Sequence, residues 1–594
     1  MAAILGHGAV SSLGFGSARI WSAMIEGRDG IAPIRRFEPT GFPLGALVPE
    51  RNTSAFGGSA LCTEMAIAAA REAWERAGIG GVAPERIALV LGTSLGEAGV
   101  LVHDITLAVA AALGVAGPQL TVSTACASST NAIGIALDLL ALDAADVVLA
   151  GGTDVLTPLV HAGFSALGVL GEGKCAPFSE PSGTTLGEGA GFLVLGHGDA
   201  RLHVLGYGLS TDAFHDTGPD PTGAGVVRGM RAALAHAGVS PDDIDYVNAH
   251  GTGTRANDPA EWRAIKQVLG ARAAHVPVSA SKSFLGHAQG AAGVLETIAT
   301  VVAMEHDRIP PTQRYAGARP NTPVDAVGGD TAREAACAVA LKGSSGFGGA
   351  NCALVIGRSP PSRVVERRPI YLAGSSFVRP PCDLAEVVPS ADPRGLDLQT
   401  RLLTAGVASA LADAGLVMRG DARDRTGLVV GLVESSPESD AGLLASIEEH
   451  GYRGLSANLF ARQVLNAAPG TAARLLGVRG PHSVIVAGDA TGLAAMIYAA
   501  ELLATRRDVD AIVAAAVDEA EGATCRVLAT TGRVRIAGWH IGADAAARAM
   551  VMARVDRVDE VVDASGVLAR FDARATILVT ASSGYALVLG GPDE

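Results

Sequence analysis

Aromatic side chains are scarce in this chain, 4% of its 594 residues. Its seven cysteines (62, 126, 175, 337, 352, 382 and 525) form no Cys-x-x-Cys pair, and their number is odd. That argues against a disulfide framework and against a zinc site, and it fits a reducing cytoplasm. A basic footprint is also missing: the net charge is −14, which speaks against a nucleic-acid partner. No apolar run reaches the ~18 residues of a membrane span. The longest candidate, LAVAAALGVAG at 107–117, reads as a buried helix. The opening MAAILGHGAVSSLG has no basic leader and turns to glycine early, so it reads as a first strand rather than a signal peptide.

What is present is small and apolar. Hydrophobic residues make up 48% of the chain and glycine supplies 75 positions; mean hydropathy is +0.31. Such a chain packs strands and helices closely, and its length implies about two to four units. Short apolar runs at 86–94, 145–154, 191–198, 243–250 and 352–357 predict strands. Stretches 63–78, 225–238 and 291–306, with apolar residues at i, i+3 and i+4, predict helices. The alternation predicts an α/β architecture with mostly buried sheets.

RSPPSRVVERRP at 358–369 reads as a linker. Beyond it the chain repeats itself. GPQLTVSTACASSTNAIGIALDLL (117–140) aligns with GPHSVIVAGDATGLAAMIYAAELL (480–503) at an offset of 363, and ADVVLAGGTD (145–154) aligns with VDAIVAAAVD (509–518) at 364. RIALVLG (86–92) resembles RTGLVVG (425–431), and SSGFGGANCALVIG (344–357) has a shortened echo at 582–590. Two copies of one plan follow. The alignment sets Asp489 opposite Cys126. The first copy lacks about 24 residues between positions 92 and 117 that the second keeps, and the second lacks the segment that carries two histidines in the first.

Four segments carry chemistry. TVSTACASST (121–130) puts Cys126 between a strand and a helix start, among small residues, where the helix dipole and free N–H groups favour a thiolate. NAHGTGTRANDPAEW (248–262) ends a strand at His250, with Thr252 and Thr254 in the turn that follows. SASKSFLGHAQGAAGVLETIA (279–299) carries His287, Lys282 and Glu296; a Lys–Glu pair in so apolar a segment sets the charge state of the neighbouring imidazole. KGSSGFGGANCALVIG (342–357) offers a glycine-rich loop whose N–H groups can reach an oxyanion. One thiol and one imidazole suffice for acyl transfer. A second imidazole suits stabilisation of a thioester enolate, the requirement of carbon–carbon bond formation from a malonyl-type donor.

At these residues the sequence resembles the β-ketoacyl synthases, or ketosynthases. TACASS, NAHGTGT, KSxxGH and GFGG occur in the family's order, and GAVSSLG, GFSALG (163–168), CAPFSEPSGTTLGEGAG (175–191) and GYGLSTDAFHDTGPDP (206–221) also match. The likeness covers roughly 1–358; the second copy resembles the first half of such an enzyme plus its closing strands. The resemblance implies a thiolase-like α-β-α-β-α layering for a catalytic unit at 1–357, a linker at 358–369, and a degenerate, partial thiolase-like unit at 370–594. It implies Cys126 as acyl acceptor, and His250 and His287 as partners of the malonyl thioester carbonyl. Lys282 and Glu296 become a supporting ion pair, and Phe347 a gate whose N–H joins that of Cys126 in an oxyanion hole. Thr252 and Thr254 would hold the phosphopantetheine arm, and Asp258 and Glu261 would be structural. No metal or redox cofactor is implied; the substrates ride on an acyl carrier protein. The helix at 63–78 and its approach at 52–65 are expected to lack the lysines and arginines that would meet an acidic carrier, so Arg35, Arg36 and Lys174 stand as candidate substitutes. The shortened 92–117 region corresponds to a family segment at the dimer interface, so the second copy is expected to supply that surface, as an intramolecular pseudo-dimer or within a homodimer. Two other readings stay open: a non-catalytic partner of the chain-length-factor kind, and a ketosynthase-fold acyltransferase that works without decarboxylation.

Overall fold

The computed structural model describes residues 1–49, 60–359, 366–542, 545–546, 548–549, 560–563, 577–581 and 584–589. Half of the linker (360–365), most of the approach at 52–65, and the ends of the 582–590 echo lie outside the described residues.

The first half is built on ten strands: β1 Ala2–Ser11, β2 Ile87–Gly92, β3 Gln119–Val122, β4 Val147–Asp154, β5 Gly189–Gly196, β6 His203–Thr211, β7 Tyr246–Asn248, β8 Val278–Ser279, β9 Val339–Ser345 and β10 Ala350–Gly357. The predicted strands and helices all appear, close to their expected bounds. They form one sheet in the order β3-β2-β4-β5-β1 and another in the order β8-β7-β9-β10-β6. Helices Ser128–Ala141 and Ala292–Glu305 are buried almost throughout and lie between the sheets, touching both. Helices Leu61–Ala77 and Ala224–Ala237 cover the two outer faces. This is the expected α-β-α-β-α layering. Both central helices are rich in Ala, Gly and Thr, and these small side chains let helix and sheet backbones approach. One expectation fails: 107–117 is not a buried helix. The helix runs Val102–Leu113 and lies on the surface, with Leu107 44% exposed.

The second half repeats the plan with β11 Ile370–Val378, β12 Thr426–Gly431, β13 His482–Val486, β14 Ala511–Asp518, β15 Gly522–Ala529, β16 Val534–Ile541, β17 Glu560–Asp563, β18 Ile577–Ala581 and β19 Tyr585–Leu589. Its orders, β13-β12-β14-β15-β11 and β17-β18-β19-β16, match those of the first half strand for strand, apart from a counterpart of β8 among the described residues. The second copy is thus more complete than its sequence echo suggests. β16 and β17 were not foreseen, because their sequences carry no recognisable motif.

The halves join through β3 and β13, which pair antiparallel (Val122↔Ile485, Thr121↔Val486) and fuse two five-stranded sheets into one of ten. Around this seam Asn131 Nδ2 donates to Ser483 Oγ at 2.8 Å, the Tyr207 and Tyr498 hydroxyls meet at 3.1 Å, and Arg506 Nη1 donates to the Tyr207 carbonyl at 2.9 Å. Farther out, a Cβ placed on Gly470 would come within 2.6 Å of the Gly348 Cα. Gly470→Ala is therefore expected to force backbones apart there and to cost about 1–3 kcal/mol, measurable as a lowered urea midpoint.

Candidate active site

The chain turns sharply between β3 and the helix Ser128–Ala141, and the turn places Cys126 at the helix entrance. The strain sits one residue earlier: Ala125 has φ +50°, a region that L-residues other than glycine rarely enter. The turn is held by Thr124 N–H donating to Ser128 Oγ (2.9 Å), whose hydroxyl donates to Ala125 O (2.6 Å). The second copy builds the same turn, with Ala487 N–H on Thr491 Oγ1 (3.0 Å) and Thr491 Oγ1 on Gly488 O (2.7 Å). There the left-handed residue is Gly488 (φ +57°), and Asp489 stands in the place of Cys126.

Cys126, His250 and His287 line one cavity of about 570 Å3, together with Phe347, Phe164, Thr252 and Thr254. The two imidazoles meet edge to face, centroids 5.4 Å apart. Their tautomers follow from their hydrogen bonds. Lys282 Nζ donates to His250 Nδ1 at 3.1 Å, and the Gln289 N–H donates to His287 Nδ1 at 3.2 Å. Each ring therefore carries its proton on Nε2. Both are held neutral: burial, then the Lys282 and Lys342 ammoniums, push their pKa values well below the usual histidine range. The result is a pair of neutral N–H donors in one pocket, the equipment needed to receive developing negative charge on a carbonyl oxygen.

Lys282 and Glu296 do not line the cavity but stand behind it. Their ion pair is fully buried, and Lys282 also donates to the His250 carbonyl at 2.6 Å. Glu261 accepts the N–H groups of His250 (2.6 Å) and Gly251 (2.8 Å). Asp258 accepts from Phe178 N–H (2.7 Å) and pairs with Arg319. Both acids fix loop shape, as expected. Thr252 and Thr254 hydroxyls lie 2.9 Å apart and stabilise their turn while lining the cavity.

The glycine loop closes the site. A Cβ on Gly346 would lie 3.0 Å from the Cys126 nitrogen, so only glycine lets this strand end approach the Cys126 turn so closely. The Phe347 ring stacks on Phe164, centroids 5.4 Å apart, and Phe164 in turn faces Phe460 of the second half at 5.7 Å. Asn466 Nδ2 donates to the Phe347 carbonyl at 2.7 Å. Leu443, Leu455 and Phe460, all from the segment the second copy keeps, bury themselves in the same cluster as Phe164.

One expectation about Cys126 meets an opposing effect. Burial pushes its thiol up to about 12, with Lys282 pulling down and Asp154 and Glu296 pushing up. The loss of water thus works against the thiolate that the helix entrance favours.

The β-ketoacyl synthase N-terminal domain model matches residues 2–200 and again 376–535, and the C-terminal domain model matches 202–316. The chain belongs to the β-ketoacyl synthase family. It is an acyltransferase of the β-ketoacyl-[acyl-carrier-protein] synthase type, acting in condensation for fatty-acid or polyketide biosynthesis. It is 33% identical over 411 residues to 3-oxoacyl-[acyl-carrier-protein] synthase 2 of Coxiella burnetii, covering 60% of this chain and 98% of that protein. It is 34% identical over 419 residues to the tetracenomycin polyketide synthase ketoacyl synthase alpha subunit of Streptomyces glaucescens, covering 61% of this chain and 97% of that one. The ishigamide ketosynthase/chain length factor structure is 32% identical with a TM-score of 0.57, over 60% of this chain and 99% of that chain. The PfaC keto synthase–chain length factor structure covers 100% of this chain and 92% of its own at TM-score 0.82; at 17% identity the two share a fold.

In this synthase the substitutes nominated for carrier contact fare unevenly. Arg36 is ion-paired with the buried Glu188 and the partly exposed Lys174 with Asp29, while Arg35 is exposed. Helix Leu61–Ala77 does carry Arg71 and Arg76, but Arg76 is taken up by Ser17 and Glu72. The sequence reading missed several residues of the synthase site. Lys342 was passed over as part of a glycine loop, although a lysine in so apolar a strand was itself a signal. Asp154, which accepts from Thr93, Ser94, Gly96 and Gly290 and so ties the loop after β2 to the loop after His287, gave no sequence signal. Phe460 and Asn466 reach the site from more than a hundred residues away.

Proposed function

We propose that residues 1–357 form the catalytic unit and 370–594 a fused non-catalytic copy joined by the 358–369 linker, and that the unit performs a decarboxylative Claisen condensation. Cys126 Sγ attacks the thioester of an acyl group delivered by an acyl carrier protein. The carbon–sulfur bond to the pantetheine arm breaks, a new one forms to Cys126, and the thiol proton leaves with the departing sulfur. The N–H groups of Cys126 and Phe347 receive the oxyanion. A malonyl-carrier thioester then enters beside Thr252 and Thr254, with its carbonyl oxygen between the Nε2–H groups of His250 and His287. Carbon dioxide leaves, the electron pair passes into the thioester as an enolate, and the enolate carbon attacks the acyl thioester. Cys126 departs as thiolate and regains its proton; the product is a β-ketoacyl chain two carbons longer. Lys282 and Glu296 fix the His250 ring. The scheme calls for no resident metal or redox group.

The observation that carries this reading is the pair of neutral imidazoles, both presenting Nε2–H beside one thiol. In place of a dimer partner, the second copy supplies Phe460 and Asn466 within the same polypeptide. The test is CO2 release from malonyl-carrier protein. His287→Ala is expected to lower it by about 10²-fold or more, read with radiolabelled malonyl. Acyl transfer with no release in the unaltered protein would favour an acyltransferase, and neither activity would favour a scaffold.

A further inference from the structure

Glu296 has two lysine partners, and the second has no role in the reading above. Lys342 lies on β9, four residues before the glycine loop, and is fully buried. Its Nζ is 2.6 Å from Glu296 Oε2 and 2.7 Å from Ser344 Oγ, and it also bonds the Gly343 carbonyl. Three acceptors surround it, which matches the three N–H bonds of an ammonium. Lys282 is likewise ringed by three acceptors: His250 Nδ1, His250 O and Glu296 Oε1. Two ammoniums thus share one carboxylate, leaving the cluster with one surplus positive charge behind the cavity.

The cluster also runs as a physical chain. Lys342 donates to Ser344 Oγ, leaving that hydroxyl to donate to Thr130 Oγ1 at 2.7 Å. Thr130 sits in the first turn of the helix that Cys126 opens. A continuous set of bonds therefore links the His250 loop, the helix bearing Glu296, the strand leading to Phe347 and the nucleophile helix.

We propose that Lys342 is a positioning residue of the condensing site: it completes a buried Lys282–Glu296–Lys342 triad that registers the glycine loop against Glu296 and whose surplus charge keeps His250 and His287 unprotonated as hydrogen-bond donors. The inference rests on the assignment of the two histidines above. The charged and titratable groups facing the triad are Glu261 from helix Asn257–Leu269, Cys352 from β10, Tyr246 from β7, the thiols of Cys126 and Cys175, and the two imidazoles. Glu261 is bonded by the His250 and Gly251 N–H groups, which leaves the triad as the nearest source of net positive charge on the rings. A like charge nearby disfavours protonation, so removing Lys342 must raise the proton affinity of both rings.

The experiment is a pH titration of 13C-histidine-labelled full-length protein, with the two resonances assigned through His250→Ala and His287→Ala, alongside the acid limb of CO2 release. Lys342→Met is expected to raise the proton affinity of both rings about tenfold and to move the acid limb to higher pH by the same factor. The double variant Lys342→Met/Glu296→Gln restores the surplus of one charge. It is expected to titrate within about twofold of the unaltered protein, even if its rate is lower, and it serves if the single variant does not fold. A lysine that merely fills space would leave the single variant's titration unmoved, or make the double variant worse than the single; either result overturns the proposal. The histidine titration needs no turnover, so failure of the condensation reading and failure of this inference are separately visible.

Discussion

Cys126→Ala yields no β-ketoacyl product, a loss of about 10³-fold or more, while CO2 release from malonyl-carrier protein continues. The first half of that expectation follows from what lines the cavity. Cys126 is the one sulfur there among the described residues, and the matching turn of the second copy presents Asp489 instead. The Thr252 and Thr254 hydroxyls bond each other, and neither His250 nor His287 has an Nδ1 lone pair free to activate a hydroxyl, since both Nδ1 atoms already accept hydrogen bonds. The second half follows because loss of CO2 draws on the two Nε2–H groups, which the substitution leaves alone. Mass spectrometry of the carrier-bound product and trapping of released CO2 separate the steps. Product formed at a rate near that of the unaltered protein would remove Cys126 from the mechanism.

Glu296→Ala is expected to be the most damaging single change outside the cavity wall, at about 3–5 kcal/mol of stability together with loss of condensation. Glu296 is 1% exposed and neutralises two ammoniums that are themselves buried. Without it, Lys282 and Lys342 stand buried with no bonded countercharge, and Glu261 is the carboxylate left near them. The lysines then escape by releasing protons, and burial already lowers the Lys342 pKa. The sign of the pH dependence follows. A lysine whose folded pKa lies below its unfolded value destabilises most at low pH, and the penalty fades as pH rises through the folded value toward the unfolded one near 10.4. Urea unfolding at a series of pH values should show the variant's deficit shrinking from neutral to alkaline pH. A constant deficit would mean that packing, not charge, sets the cost.

Most of the proposed site was legible in the sequence because the groups that meet in the cavity travel with their own loops. Cys126 and His250 each follow a strand end, His287 follows the short helix Lys282–Leu285, and small residues adjoin all three, a pattern readable in one dimension. Lys282 and Glu296 could be paired because they lie fourteen positions apart on either side of His287. The fold was legible for the same reason: the strands of the first half are short apolar runs bounded by glycine. What stayed hidden depends on distance in sequence or on burial. Phe460 and Asn466 meet Phe164 and Phe347 only because β3 and β13 pair, and no local pattern announces that seam. β16 and β17 repeat the geometry of β6 and β7 without repeating their residues. The burial of Cys126 stayed hidden because helix position can be read from a sequence, whereas exclusion of water by the surrounding fold cannot.

The two bends that open the paired helices differ in torsional load. Ala125 holds a left-handed backbone that costs a β-carbon about 1–2 kcal/mol, and it does so directly beneath the sulfur. Gly488 takes up nearly the same angle at little cost, beneath a carboxylate. Of the two matching bends, the polypeptide thus keeps a cocked spring in the one that thrusts a sulfur forward and a slack one in the one that carries a carboxylate.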